Sequence, residues 1–206
     1  SFSLINFLNA QKKYTIQISP EDCTGCSICA LTCPVQAISM VHKNEVIEDS
    51  KKNVTFFNTL KGEEVEDPKN IKDLQFKDSL FKYSGACAGC GETPYLSLAT
   101  KLFGDRMIVA NATGCSSIYG GNLPTTPWSK NKEGHGPAWS NSLFEDNAEF
   151  GLGFALSQET QREEAITLLE TLKAELGENL VNEIIENSTK TSDSEVKAQR
   201  VRINET

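Results

Sequence analysis

The sequence predicts two unequal domains, a small cysteine-rich α+β domain over residues 1–55 and a larger α/β domain over residues 83–206. Two observations support this division. Four of the seven cysteines are crowded together near the start of the chain, whereas the other three surround a helix–strand pattern in the middle. Residues 56–82, which separate the two regions, are rich in lysine and acidic residues and are interpreted as a linker.

Composition limits the kinds of partner that the protein can have. The formal net charge of −8 over 206 residues argues against binding to nucleic acid. The sequence shows no secretory signal pattern and no uninterrupted apolar run of membrane-spanning length. An odd number of cysteines and tight C-x-x-C spacing favour metal ligation in a reducing compartment over a disulfide framework. We therefore expect a cytoplasmic protein that binds neither nucleic acid nor membrane.

The small domain is defined by a dense cysteine run. Alternation over Tyr14–Ile18 predicts a strand, and residues 38–41 and 46–47 predict a β-ribbon. Between them the spacing C-x2-C-x2-C-x3-C-P is formed by Cys23, Cys26, Cys29 and Cys33. This is the bacterial ferredoxin pattern, so we predict a ferredoxin-like domain that binds 4Fe-4S clusters. A zinc site or buried free thiols are the alternatives, and the Cys-Pro ending disfavours both.

The ligand count of this domain is incomplete. In ferredoxins with two clusters, the fourth cysteine of each run ligates the other cluster, so Cys33 requires a second, complementary run. The sequence contains no such run. We therefore expect a partial domain, and we expect the chain to be an internal segment of a longer polypeptide.

A second cysteine site is predicted between Tyr83 and Asn122. Cys87 and Cys90 lie in a glycine-rich loop, and Thr93 is predicted to cap a helix that ends at Gly104. A short buried strand over residues 107–110 then leads to a second glycine-rich loop, which contains Cys115. This order brings both loops to the ends of adjacent elements, where α/β sheets bind ligands. The three thiols are predicted to form a cluster corner that lacks one ligand.

The remaining third of the chain is predicted to be mainly helical. Glycine and proline predict a loop over residues 120–127, and a buried helix is expected within 141–156. A capping box at Thr160 and a second apolar pattern ending near Asn187 predict a helical hairpin at about 159–187. Residues 188–206 are polar and are expected to be extended or mobile.

Three stretches of the larger domain resemble a known family. GACAGCGETPY, LFGDRMIVANATGCSSIYGGNLPTTPW and GPAWSNSLFEDNAEFG are similar to the thiamine-diphosphate domain of pyruvate:ferredoxin (flavodoxin) oxidoreductases. The resemblance implies a partial thiamine-diphosphate-binding fold, with Glu92 and Cys115 against the cofactor and Cys115 also a cluster ligand. From the residues alone, Glu92 could equally be an acid that complements a helix dipole. The Gly-Asp-Gly motif that holds Mg²⁺ is absent, so its ligands are expected outside this chain.

The resemblance also implies a reaction. The family oxidatively decarboxylates pyruvate to acetyl-CoA and CO2 and passes electrons through 4Fe-4S clusters to ferredoxin or flavodoxin. It implies a homodimer and the remaining segments of the same enzyme as partners, so this chain alone is expected to be inactive. No catalytic residue is identified. The alternatives are a non-catalytic iron–sulfur electron-transfer module that serves a partner enzyme, or a zinc-stabilised interaction module.

Overall fold

The computed structural model describes residues 5–6, 13–60, 65, 68–190 and 192–205. The chain folds as two compact units, Ser1–Glu63 (unit 1) and Glu64–Thr206 (unit 2). In unit 1 the described elements are β1 (Ile5–Asn6), β2 (Lys13–Tyr14), α1 (Ile28–Thr32) and α2 (Lys43–Phe57), with β1 antiparallel to β2.

Two predictions for unit 1 are corrected. The strand predicted at Tyr14–Ile18 contains only Tyr14, because β2 ends there. The β-ribbon over 38–41 and 46–47 is wrong, since residues 46 and 47 lie inside α2. Charged residues outnumber β-branched ones in that segment, and ion pairs three residues apart support the helix, at 3.9 Å for Lys51–Glu48 and 2.9 Å for Lys52–Asp49.

Unit 2 combines helices with one small parallel sheet. Its described elements are α3 (Ile71–Leu74), α4 (Thr93–Phe103), β3 (Ile108–Ala112), α5 (Cys115–Gly121), β4 (Ala138–Ser142), α6 (Asn147–Thr171), α7 (Lys173–Leu176), α8 (Glu178–Asn187) and α9 (Asp193–Glu205). Strand β3 pairs with β4 in parallel, from Ile108 opposite Ala138 to Ala112 opposite Ser142. The mixed, partly parallel architecture predicted from the sequence is thus confirmed at this coarse level.

The elements around the second cysteine site follow the predicted order. Helix α4 begins at Thr93 and ends before Gly104, although Glu92 rather than Thr93 occupies the cap position. Strand β3 follows as expected, but it is not buried, because Ile108 is 41% exposed. Gly120 and Gly121, predicted to be loop, form the last turn of α5. They fit there because the indoles of two tryptophans pack against these glycines.

The core of unit 2 is centred on Phe81, within the predicted linker. Its ring meets Tyr119 and Trp128 edge-on, with centroids 6.0 and 5.0 Å apart. The Phe81 backbone N–H donates to Oγ1 of buried Thr100 over 3.2 Å. The buried apolar side chains include Leu74, Leu80, Phe81, Tyr119, Pro127, Val181 and Ile184. Residues 80–82 therefore support the second cysteine site directly.

Two predictions for the C-terminal third are corrected. Thr160 does not begin a helix, because it lies inside the continuous α6 and its Oγ1 donates to the Leu156 carbonyl over 3.0 Å. Helix α6 begins after Asp146, as the capping pattern indicated, yet it has no buried residues. The second helix of the predicted hairpin matches α8, which ends at Asn187.

The tail, expected to be extended, instead forms α9. Asp193 at its start accepts from Lys77 Nζ over 2.6 Å and from Arg106 Nη2 over 2.9 Å. Arg200, further along α9, lies 3.3 Å from the Asp105 carboxylate. These ion pairs to residues far away in sequence fix the helix, and the composition of the tail alone could not indicate them.

Candidate functional site

The first cysteine loop is shaped by left-handed backbone. Gly25 has φ 71° and Ser27 has φ 65°, and the loop leads directly into α1. Such residues allow the chain to reverse within a short span. The Cys23 N–H donates to the Ser19 carbonyl over 3.1 Å and closes the first turn. Cys23, Cys26 and Cys29 are exposed, and Cys33 is half-buried.

Cys33 has the best-defined surroundings of the four. The backbone N–H of Ala37 donates to its Sγ over 3.3 Å. This N–H group, followed by that of Val35 and then by those of Ile38 and Gln36, lowers the pKa of the Cys33 thiol, and slight desolvation opposes them. Backbone donors aimed at a sulfur favour the thiolate, which is the form that binds iron. The donor set therefore fits an iron–sulfur cluster.

The second cysteine site begins with a tight turn. The Cys90 N–H donates to the Cys87 carbonyl over 3.0 Å, and Gly89 between them has φ 74°. Glu92 follows at the N-terminus of α4, and its side chain makes no capping hydrogen bond. The Glu92 carboxylate is thus placed where the helix dipole favours an anion while its oxygens stay available to another donor.

Cys115 begins α5, directly after the carboxyl end of β3. The Gly114 N–H donates to Ser117 Oγ over 3.0 Å, and Ser117 Oγ donates to Asn141 Oδ1 over 2.8 Å. Asn111 Nδ2 donates to the same Asn141 oxygen over 2.9 Å. These bonds tie the Cys115 turn to the ends of both parallel strands. Sequence reasoning missed the three polar residues, although each stands at or just after a strand end.

Tyr119 is the contact between the two loops. A Cβ placed on Gly85, in the loop that contains Cys87 and Cys90, would lie only 3.1 Å from the Tyr119 Cβ, so this loop packs directly on the side chain. The Tyr119 hydroxyl is buried and has no hydrogen-bond partner. Burial first, then the Glu92 carboxylate, and then the Cys90 and Cys115 thiols raise the pKa of Tyr119 far above its ordinary value. The hydroxyl thus lies among groups from both loops.

The predicted ligands of the second cysteine site come from the Cys87–Cys90 loop and from the start of α5. Cys90, Glu92 and Cys115 all contribute to the raised pKa of Tyr119, and Cys87 is one turn from Cys90. Within the described part of the chain, no three His, Cys, Asp or Glu side chains are grouped so as to hold a metal ion. A cluster shared by Cys87, Cys90 and Cys115 therefore stays a prediction. Sequence reasoning did not identify Tyr119, because a tyrosine in a glycine-rich stretch carries no chemical signal.

Known proteins share both cysteine regions. Residues 16–39 match the 4Fe-4S binding domain family, which supports the ferredoxin-type interpretation of the first loop. The chain is 52% identical to the pyruvate-flavodoxin oxidoreductase of Nostoc sp. over 204 residues, which are 94% of this chain and 17% of that protein. It is 53% identical to the pyruvate:ferredoxin oxidoreductase of Moorella thermoacetica over 160 residues, 76% of this chain and 14% of that protein.

Over nearly its whole length, the chain is homologous to one segment of these pyruvate oxidoreductases. A third relative, the pyruvate-flavodoxin oxidoreductase of Rhodospirillum rubrum, is 48% identical over 198 residues, 92% of this chain and 17% of its own. The chain thus spans about a sixth of the length of the curated relatives it matches. The family resemblance drawn from the central motifs is confirmed. Among the described helices, none is both long and apolar enough to cross a bilayer.

Proposed function

We propose that this chain forms part of an enzyme that oxidatively decarboxylates pyruvate to acetyl-CoA and CO2 and delivers the electrons to ferredoxin or flavodoxin. The observation that carries the proposal is the packing of the loop at Gly85 on Tyr119, because that loop continues to Cys90 and the uncapped Glu92 while the helix of Tyr119 begins at Cys115. The relatives named above carry the same activity in their names, which favours an enzyme over a non-catalytic electron carrier.

Residues 83–206 are assigned to a partial thiamine-diphosphate-binding domain, with a helical hairpin at about 159–187. Thiamine diphosphate, when bound, supplies the carbanion chemistry that decarboxylation of a 2-oxoacid requires. The uncapped Glu92 carboxylate fits a hydrogen bond to the thiamine ring or its amino group. Cys115, which the strand-end hydrogen bonds hold in place, would lie against the same cofactor. The Mg²⁺ ligands are assigned to residues outside this chain.

The cysteines are assigned to electron transfer. Cys87, Cys90 and Cys115 would hold one cluster beside the cofactor, and α4 directs its positive end towards the Cys87–Cys90 turn. Cys23, Cys26 and Cys29 would hold a ferredoxin-type cluster, with Cys33 as a ligand of its neighbour. Residues 1–55 are assigned to this partial domain. The thiolate donors and backbone N–H groups already described fit such clusters.

The electrons and atoms of the overall reaction balance. Cleavage of the bond between the carboxylate and the 2-oxo carbon releases CO2 and leaves two electrons on the acetyl unit. Clusters held by the cysteines would carry those two electrons away one at a time, and each electron would reduce one equivalent of a one-electron acceptor. The acetyl unit is transferred to the sulfur of coenzyme A, which releases its proton. The assembly is proposed to be a cytoplasmic homodimer, as the family resemblance implies.

A binding and turnover experiment tests the proposal in a full-length oxidoreductase that carries this chain. Reduction of ferredoxin or flavodoxin should require pyruvate and coenzyme A together. Replacing Glu92 by Gln should weaken thiamine diphosphate about tenfold, the loss expected for one hydrogen bond to a charged acceptor. Glu45→Gln is the matched control, because Glu45 is also an acid in the first turn of a helix but lies in unit 1. Zinc in place of iron, or unchanged cofactor affinity in Glu92→Gln, would contradict the proposal.

A further inference from the structure

The Tyr119 hydroxyl is a buried polar group that the core does not need. Only 5% of Tyr119 is exposed, and its ring packs edge-on against Phe81. A phenylalanine ring would make the same apolar contacts. A buried tyrosine hydroxyl ordinarily finds a partner, yet this one makes no hydrogen bond of regular geometry. The unused donor therefore indicates a role in the site rather than in the packing.

The position of Tyr119 on α5 places it beside both Cys115 and the Cys87–Cys90 loop. It follows Cys115 by four residues, so the two side chains share one face of the helix. The opposite loop packs on it at Gly85, and that loop continues through Cys90 to Glu92. Tyr119 is thus the α5 side chain on which the Cys87–Cys90 loop packs.

Among the groups around the hydroxyl, the Glu92 carboxylate is the strongest acceptor. A hydrogen bond to an ionised carboxylate is stronger than one to a neutral group, and sulfur is a weak acceptor. The Glu92 side chain makes no hydrogen bond that caps α4. After burial, Glu92 is also the group that does most to raise the pKa of Tyr119, which is consistent with its carboxylate lying near the hydroxyl.

We propose that Tyr119 is a positioning residue whose hydroxyl donates a hydrogen bond to the Glu92 carboxylate. This bond fixes the carboxylate between the Cys87–Cys90 loop and the start of α5 at Cys115. The part of this inference that concerns thiamine rests on the proposed function. There, the bond leaves the other carboxylate oxygen directed towards the cofactor. The same bond would join the Cys87–Cys90 loop to α5, and hence to Cys115, whether or not a cofactor is bound.

A double-mutant cycle tests the bond in the full-length oxidoreductase. Affinity for thiamine diphosphate is measured by calorimetry in the unchanged protein, Tyr119→Phe, Glu92→Ala and the double variant. Tyr119→Phe should weaken binding about tenfold when Glu92 is present and have no further effect in the Glu92→Ala background. Tyr95→Phe is the matched control, because Tyr95 on α4 is 73% exposed. Removing its hydroxyl should leave the affinity unchanged.

Denaturant unfolding of the same four proteins, without cofactor, supplies the second readout. The midpoint should fall in Tyr119→Phe when Glu92 is present and should not fall further in the Glu92→Ala background. Equal effects of Tyr119→Phe in both backgrounds, or no effect in either, would overturn the inference. If no protein binds thiamine diphosphate but the unfolding coupling persists, the proposed cofactor function fails and the Tyr119–Glu92 bond is upheld.

Discussion

From Ser19 to Ile38, the first cysteine loop is held mainly by hydrogen bonds between residues a few positions apart, such as Cys23 to Ser19 and Ala37 to Cys33, although Lys43 and Lys51 of α2 also contact Glu21. Cys90 and Cys115 are far apart in sequence, and the segments that carry them meet where the loop at Gly85 packs on Tyr119 of α5. The first site is therefore encoded locally, whereas the second depends on the core of unit 2. Changes in that core should affect the second site and leave the first intact.

The largest effect is expected from changes to the cluster ligands themselves. In a full-length oxidoreductase, Cys26→Ser should reduce electron delivery to the acceptor by more than the roughly 10–100-fold that changes to supporting groups cost. Pyruvate-dependent CO2 exchange should persist, because decarboxylation precedes electron delivery. The two rates are measured on the same preparation, and loss of CO2 exchange in a well-folded Cys26→Ser protein would refute the assignment.

The next effect should come from the packing beneath Cys115. A Cβ on Gly121 would lie 2.8 Å from the Trp139 ring, so Gly121→Ala should destabilise unit 2 by about 1–3 kcal/mol. Gly153→Ala is the control, since a Cβ there meets nothing within 4 Å in the middle of α6, and it should stabilise by about 0.5–1 kcal/mol.

Denaturant unfolding followed by tryptophan fluorescence measures this difference. The chain has two tryptophans, Trp128 and Trp139, and both lie in unit 2. The signal therefore reports on the unit that carries the second site. Equal midpoints for Gly121→Ala and Gly153→Ala would show that Trp139 does not restrain α5 as described.

A smaller loss is expected at the buried hydroxyl behind Phe81. Thr100 Oγ1 accepts from the Phe81 N–H and donates to the Ser97 carbonyl over 2.9 Å. Thr100→Val removes both bonds, and the free energy of unfolding should fall by about 1–2 kcal/mol. Thr160→Val, on the exposed surface of α6, should change it by less than about 0.5 kcal/mol. A matching loss in both variants would contradict the special role of Thr100.

The smallest effect, and the one that depends on pH, concerns the attachment of α9. Burial raises the pKa of Asp193, but the hydrogen bonds and charges of Lys77 and Arg106 outweigh it and lower the pKa overall. This group therefore stabilises the folded chain above its ordinary pKa of about 3.9, and that stability is lost as pH falls below it. Asp193→Asn should lower the free energy of unfolding by about 1 kcal/mol at pH 7. On acidification, the variant should lose less stability than the unchanged chain.

Unfolding midpoints between pH 7 and pH 3 test this prediction. Glu178→Gln is the control, because its ion pair with Lys173 is surface-exposed and should contribute little. Parallel curves for the unchanged chain and Asp193→Asn below about pH 4 would contradict the assignment of this pH dependence to Asp193.

The contrast between the sites also explains what the sequence could predict. The ligands of the first site stand in one run with fixed spacing, so the pattern alone indicates the chemistry. At the second site, spacing predicts α4, β3 and the position of Cys115, but the meeting of the loops at Tyr119 depends on Phe81 and Gly85. The role of Glu92 came only from the family resemblance, because a helix-terminal acid has a structural explanation of its own.

The missed elements have a common physical cause. Helix α9 depends on ion pairs to Lys77, Arg106 and Asp105, which lie far away in sequence. Helix α6 runs through Thr160 because that hydroxyl bonds back to the preceding turn instead of capping a new helix. Composition and local sequence patterns reveal neither the long-range ion pairs of α9 nor which backbone group the Thr160 hydroxyl will bond.

Iron content and electron paramagnetic resonance of Cys115→Ser, measured in a full-length oxidoreductase beside Cys26→Ser, test the central claim most directly. The account predicts that Cys115→Ser loses about four iron atoms per chain, the content of one cubane. It should keep the ferredoxin-type signal and bind thiamine diphosphate more weakly, whereas Cys26→Ser should keep its cofactor affinity. Full iron content and unchanged thiamine binding in Cys115→Ser would contradict a shared cluster and cofactor site built where the two loops meet.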